Sequence, residues 1–150
     1  MFPNVKPSEQ VAVLDAIAPV SQAPGAVTTA WVSAQNVHKV LALVNVGVFG
    51  AAATVDANVQ QAQDAAGTGA KAFTSAKAIT QMLAAGGNNK VALINIATSD
   101  LDVENSFYFV RLTITVGTAA SLVSGCVIGF TPRNAPGSDF NNAAVSQIVG

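Results

Sequence analysis

The chain has 150 residues, of which 51% are hydrophobic and only 10% are charged, and its formal net charge at pH 7 is −1. Its lysines and arginines stand singly, which excludes a basic patch for a phosphate backbone, so we expect no direct nucleic-acid partner. A single cysteine excludes an intrachain disulfide, and the opening MFPNVKPSEQ lacks the apolar core of a signal peptide. One self-sufficient core fits this length, and so little charge suggests that partners cover part of the surface.

Prolines crowd the first 26 residues of the chain. Prolines 3, 7, 19 and 24 disfavour a long helix and a central strand alike. We therefore predict an extended arm over residues 1–26, with at most a short edge strand around residues 11–17. Its apolar side chains argue against a free tail, so we expect the arm to order against a neighbouring subunit.

From Val27 onward, strand-like runs alternate with turn signals about every ten residues, as in a sandwich or barrel. The run at 38–49 is apolar on both faces and predicts a central strand, whereas the run at 53–63 alternates strictly and predicts a half-exposed one. Residues 74–83 fit a strand or a short helix. The pattern predicts an all-β domain over residues 27–132, an antiparallel β-sandwich or barrel of jelly-roll-like form, followed by a tail over 133–150.

The most regular stretch is SFYFVRLTITVGTAASLVSGCVIGFTP, residues 106–132. Two alternating runs flank the turn at 117–121, and we interpret them as a central β-hairpin. Gly125 and Gly129 mark places where another part of the chain comes close. A membrane-spanning helix would need about 20 apolar residues, but the period here is two and β-branched residues favour strands. We expect no membrane partner.

Few residues suggest chemistry. His38 precedes an apolar strand without any nucleophile motif, and we interpret it as structural. Cys126 is predicted to lie buried in the hairpin, where apolar surroundings keep a thiol inert. Asp100, Asp102 and Glu104 would share one side of an extended chain and could hold calcium, or they could simply be a solvated connection. The glycine that turns a calcium loop is missing, so we predict no catalytic, cofactor-binding or metal-binding residue and no cofactor.

The chain from about Ala18 to its C-terminus resembles small structural proteins encoded in the head gene clusters of tailed bacteriophages, of the minor capsid or decoration type. The likeness rests on IAPVSQAPGAVTTAWV, ATVDANVQQAQDAAGTGAKAF with KAITQM, and LDVENSFYFVRLTITVGTAASLVSGCVIGFTPRNAP, in that order. The resemblance implies a β-rich, trimeric virion protein that binds the outside of an assembled capsid or serves as a head or tail component. It transfers no functional residues, because none of these motifs is catalytic.

These observations favour a non-enzymatic virion structural protein, a decoration or minor capsid protein that stabilises the phage head. Its expected partners are itself, as a homotrimer, and the major capsid protein or other virion proteins. Its expected location is the capsid surface, and the host cytoplasm during assembly. One alternative is a tail or head–tail connector component, which would form a ring. A weaker alternative is a carbohydrate-binding β-sandwich module, which a single Trp and a single Tyr disfavour.

Overall fold

The computed structural model describes residues 4–134 and 140–149, so the predicted arm and tail at residues 1–3, 135–139 and 150 lie outside the described residues. The strands are β1 (Val11–Gln22), β2 (Gly25–Thr28), β3 (Val32–Ser33), β4 (Val37–Val46), β5 (Thr54–Ala62), β6 (Lys71–Ala72), β7 (Met82–Leu83), β8 (Lys90–Ala97), β9 (Phe109–Gly117) and β10 (Ser121–Pro132). One short helical turn, α1 (Ala84–Gly87), precedes β8. Short 3-10 turns lie at Pro7–Glu9, Thr98–Asp100, Val103–Asn105 and Asn142–Ala144. Across the described ranges, no helix is long and apolar enough to cross a membrane.

The strands form two antiparallel sheets that pack face to face. The first sheet has the order β1-β10-β4-β8, and the second has the order β2-β9-β5-β6. In the second sheet β3 also pairs with β9 and β7 also pairs with β5, so β2 with β3 and β6 with β7 each act as one interrupted strand. Eight strand positions in two such four-stranded layers are the jelly-roll arrangement. The prediction of an all-β antiparallel sandwich is confirmed.

Alternation places one face of each long strand in a shared core. On β9 the buried residues are Val110, Leu112, Ile114 and Val116, and on β4 they are Val40, Ala42, Val44 and Val46. The glycines of β10 face this core, since a Cβ at Gly125 would lie 2.9 Å from Leu112 Cδ2. Small residues here allow the two sheets to approach, as the sequence predicted for a close contact.

The predicted central hairpin is wrong. β9 and β10 follow each other in sequence, but β9 lies between β2 and β5 in the second sheet, whereas β10 lies between β1 and β4 in the first. The turn at residues 118–120 carries the chain from one sheet to the other. Because β9 and β10 lie in different sheets, their apolar faces pack against each other across the sandwich. In a hairpin the two strands would lie side by side in one sheet, and their apolar faces would point the same way.

The predicted arm over residues 1–26 is wrong for most of its length. β1 pairs along β10, and its Ala12, Leu14 and Ile17 are buried. Proline is tolerated because β1 is an edge strand and Pro19 falls within a register shift between Ile17 and Val20, where no ladder hydrogen bond is required of it. Of the predicted arm, residues 4–10 are the described part that precedes β1.

Candidate assembly surface

The outer side of the first sheet carries rows of apolar side chains. They alternate along each strand with the buried residues and point away from the core. The strand register aligns one row of Ala16, Cys126, Leu43 and Leu93, and a second row of Val13, Ile128, Leu41 and Asn95. We call this surface the outer apolar face; its other members are Val11, Val91, Leu122 and Phe130, and its polar members are Lys39, Asn45 and Ser124 in addition to Asn95.

Several of these side chains are well exposed. Val91 is 57% exposed, Leu93 is 55% exposed and Leu122 is 47% exposed. Two shallow depressions lie on the face: one of about 420 Å³ is lined by residues that include Val91 and Leu122, and one of about 570 Å³ is lined by residues that include Leu41 and Phe130. Contiguous apolar surface of this kind marks an interaction site on most soluble proteins.

The outer side of the second sheet is polar and makes its own hydrogen bonds. Gln81 Nε2 donates to the Asp56 carboxylate over 2.7 Å, and the Arg111 guanidinium donates to Gln60 Oε1 over 3.4 Å. The same guanidinium lies 4.4 Å from the centroid of the Trp31 ring. The two sides of the sandwich thus differ in polarity, and only the first sheet presents an extended apolar surface among the described residues.

Charge is also distributed unevenly between the two ends of the sandwich. The loops at 23–24, 47–53, 84–89 and 118–120 lie at one end, which we call the uncharged end, and contain no Asp, Glu, Lys or Arg. They contact one another: Phe49 N donates to Asn88 Oδ1 over 2.8 Å, and Gly50 N donates to Ser121 Oγ over 3.2 Å. The ion pairs Lys71–Asp102 and Lys77–Asp100 lie at the opposite end.

The three carboxylates singled out in the sequence are not brought together. Asp102 binds the Lys71 ammonium and accepts from Asn105 Nδ2, and the Lys71 hydrogen bond lowers the pKa of Asp102 below its ordinary 3.8. Asp100 lies 2.8 Å from Lys77 Nζ, and that hydrogen bond lowers its pKa as well. Glu104 is exposed. No cluster of three His, Cys, Asp or Glu side chains that could hold a metal occurs in the described part of the chain.

His38 and Cys126 lie apart from each other and from these carboxylates. His38 is exposed at the start of β4, and its carbonyl oxygen accepts from Thr98 Oγ1 over 3.1 Å. The sequence predicts Cys126 inside the core, but it lies half-buried on the outer apolar face because Gly125 and Val127 are the inward neighbours on β10. Partial burial raises the pKa of its thiol, and the nearby Asp15 carboxylate raises it further. A thiol so protonated is a poor nucleophile.

The outer apolar face itself was not recognised from the sequence. Its signal was present, since β4 and β10 are apolar at both odd and even positions. At residues 38–49 that pattern predicts a central strand that is buried on both faces, whereas the structure leaves the outer side of β4 without a covering layer among the described residues.

Comparison with known proteins gives distant similarities only. No family model and no curated protein matches the chain. A structure of infectious bursal disease virus Gx strain matches with 12% identity and a TM-score of 0.36, covering 84% of this chain, which spans about a third (32%) of that chain. Desmodium yellow mottle tymovirus matches with 10% identity and a TM-score of 0.37, covering 88% of this chain and 93% of that one.

A cowpea mosaic virus empty virus-like particle matches with 10% identity and a TM-score of 0.37, covering 91% of this chain and 88% of that one. With TM-scores below 0.5, these similarities carry no argument about function.

Proposed function

We propose that the protein is a non-enzymatic structural subunit of a virus particle, a decoration or minor capsid protein that stabilises a phage head. The observation that carries the proposal is the outer apolar face, which includes exposed aliphatic residues such as Val91, Leu93 and Leu122. A jelly-roll fold serves many functions, so the proposal rests on the outer apolar face and not on the fold. The resemblance to phage head proteins supports the same role.

The size of the face suits one protein partner. Four strands about 4.8 Å apart and about nine residues long at about 3.4 Å per residue span roughly 600 Å² of flat surface. A standard interface buries about 800 Å² on each partner, and side chains that stand out from the sheet raise the accessible area toward that value. The major capsid protein, or another virion protein, is the proposed occupant, which places the subunit on the capsid surface after assembly in the host cytoplasm.

The uncharged end supports self-association about a rotation axis. Identical charges near such an axis would repel one another, at about 1 kcal/mol for two charges 4 Å apart in water and more where water is excluded. Four loops without a charged residue avoid that repulsion among themselves, and the nearest charge is the exposed Lys90 at the first position of β8. We therefore propose a homotrimer in which the uncharged ends meet at the threefold axis.

Particle binding tests the proposed role of the face. Purified protein is sedimented with particles from a virus that lacks this coding region, and the bound fraction is measured. Leu122→Glu places a carboxylate on the outer apolar face, near its end at the start of β10, so we expect at least a tenfold loss of binding. The matched control is Val103→Glu, because Val103 is 45% exposed but lies off the face, and it should bind like the wild type. Equal binding by Leu122→Glu and the wild type, or no binding by either, would overturn the proposal.

Location on the particle separates a decoration protein from a connector. Electron microscopy of particles carrying the labelled protein should show label over the whole head. Label confined to one vertex or to the tail would contradict the capsid-surface role and favour a ring-forming connector.

A further inference from the structure

The edges of the two sheets differ in how well they are protected. Edge strands expose unpaired backbone groups, and proteins usually protect them with bulges, prolines, charges or short length. In the second sheet both edge positions are interrupted strands, namely β2 with β3 and β6 with β7. In the first sheet, β1 has two register shifts and contains Pro19, and Asn141 N donates to Val13 O from beyond it over 2.8 Å.

The other edge of the first sheet, β8, has no bulge and no proline, and it is not interrupted. Its eight residues, KVALINIA, pair with β4 without a register shift. No strand lies beyond β8 in the described ranges, and its single charge is Lys90 at the first position. Its outward side chains Val91 and Leu93 are the exposed aliphatics of this edge. An edge of this length, with an unbroken register and mostly apolar side chains, is a template for another strand.

We propose that β8 pairs with β8 of a second copy of this chain, in antiparallel orientation about a twofold axis, so that the two first sheets become one continuous sheet. The inference deepens the proposed assembly role, on which it rests, by assigning a partner to this edge. A twofold contact presents the same strand from both subunits, so one sequence satisfies both sides. Trimers joined at their β8 edges would extend into a lattice.

Charge favours the antiparallel orientation. A parallel pair would place the two Lys90 ammonium groups side by side. In the antiparallel pair they lie at opposite ends of the paired strands, separated by about six residues or roughly 20 Å, which exceeds a Debye length of about 8 Å at physiological salt.

Parity restricts the register of the pair. Directly opposite residues of an antiparallel pair lie on the same side of the sheet, and a slip of one residue reverses every side chain. Val91, Leu93 and Asn95 must therefore face each other, while the inward Ile94 must meet inward residues. The register that brings the exposed leucines together centres the axis on Leu93 and places Val91 opposite Asn95 of the partner.

The proposed β8–β8 contact buries little surface, so it is expected to be weak in a single pair of subunits. An eight-residue edge about 27 Å long and about 10 Å thick covers on the order of 300 Å² per subunit, well below the ~800 Å² of a standard interface. Such a contact is weak alone and becomes effective when it is repeated across an assembly. A covalent trap is therefore the appropriate measurement.

Disulfide trapping tests the register in purified protein without any particle. In a Cys126→Ala background, Leu93→Cys places two thiols opposite each other, with Cβ atoms about 5 Å apart, so mild oxidation should convert most of the chain to a dimer on a non-reducing gel. Val91→Cys is the matched control with equal exposure. Its two thiols would lie about 14 Å apart, too far for a disulfide, and it should remain monomeric on the gel.

The double substitution Val91→Cys with Asn95→Cys should restore the dimer, because these positions face each other across the axis. No dimer from Leu93→Cys, or equal dimer from Leu93→Cys and Val91→Cys, would overturn the inference. If only the β8 contact is wrong, the disulfide dimer is absent but the wild-type protein still binds particles. If only the proposed function is wrong, the disulfide dimer forms but the Leu122→Glu experiment shows no loss of particle binding. Circular dichroism confirms that each variant is folded.

Discussion

Gly67 lies directly against the indole of Trp31, so closely that a Cβ at Gly67 would be 2.4 Å from Trp31 Nε1. The backbone of Gly67 is also left-handed, with φ of +86°. The loop that contains it is fixed by Asp64, whose carboxylate accepts from Thr68 N and Thr68 Oγ1. The polar side of the second sheet therefore depends on a residue without a side chain.

Gly67→Ala should lower the free energy of unfolding by about 2–5 kcal/mol, the sum of a left-handed backbone cost and an overpacking cost. Gly69→Ala is the control. Gly69 also has a positive φ, of +66°, but its nearest atom is 3.3 Å away at the end of the flexible Gln63 side chain. Urea unfolding should show the smaller loss, about 1 kcal/mol, for Gly69→Ala; equal losses would mean that the Trp31 contact contributes nothing.

Thr113→Val should stabilise the protein. The Thr113 hydroxyl is buried and has no hydrogen-bond partner within the described residues, and an unsatisfied buried polar group costs about 1–3 kcal/mol. A valine of similar shape removes that cost, so the melting temperature should rise. Thr115→Val on the same strand is exposed and should change the free energy of unfolding by less than about 0.5 kcal/mol. A lower melting temperature for Thr113→Val would contradict this account.

Acid should lower the stability that the Asp102–Lys71 and Asp100–Lys77 ion pairs give to the folded protein. Hydrogen bonds from Lys71 and Lys77 lower the pKa values of Asp102 and Asp100 in the folded protein below the ordinary 3.8. A carboxyl with a lowered folded pKa stabilises the protein above its unfolded pKa, and this stabilisation is lost as the pH falls through that value toward the folded pKa. Melting temperatures measured from pH 6 down to pH 3 should therefore decline.

In the same experiment Asp102→Asn should show a shallower decline at the acid end. Glu104→Gln is the control, because Glu104 forms no ion pair in the described part of the chain, and it should follow the wild-type curve. Identical pH curves for Asp102→Asn and the wild type would show that the Lys71 pair does not contribute.

Truncation should separate the short leading segment from the first strand. Deleting residues 1–10 removes no strand and should leave the β-sheet circular dichroism spectrum and cooperative melting intact. Deleting residues 1–25 removes β1 with the buried Leu14 and Ile17, and should prevent cooperative folding. Cooperative melting of the chain that begins at Ala26 would show instead that β1 is dispensable.

The sequence predicted strand identity well where one face is buried. β5 and β9 alternate strictly, and the structure buries the predicted side of each. It could not predict which strands share a sheet, because the period of two is the same for a hairpin and for two strands that face each other across a sandwich. Residues 106–132 were therefore assigned correctly as strands and wrongly as a pair.

The candidate surface was missed for a related reason. Leu41 and Leu43 on β4 alternate with buried valines, so β4 is apolar on both sides. Hydrophobicity alone does not say whether such a side is covered by the same chain or by another one. Only the three-dimensional arrangement shows that these leucines are partly buried on the outer side of the first sheet, with no second layer of described strands over them.

The pairing of β1 with β10 constrains when the protein can fold. β10 lies between β1 and β4, so the first sheet cannot close until residues 121–132 are available. During synthesis at about 5–20 residues per second, the apolar strands made earlier wait several seconds for the strand that completes them. Pairings this distant in sequence also make folding slow, in the range of milliseconds to seconds. During this interval the apolar β4 and β8 strands are exposed and can aggregate. The yield of folded protein should therefore depend strongly on temperature and on the supply of chaperones, even if the native state is stable.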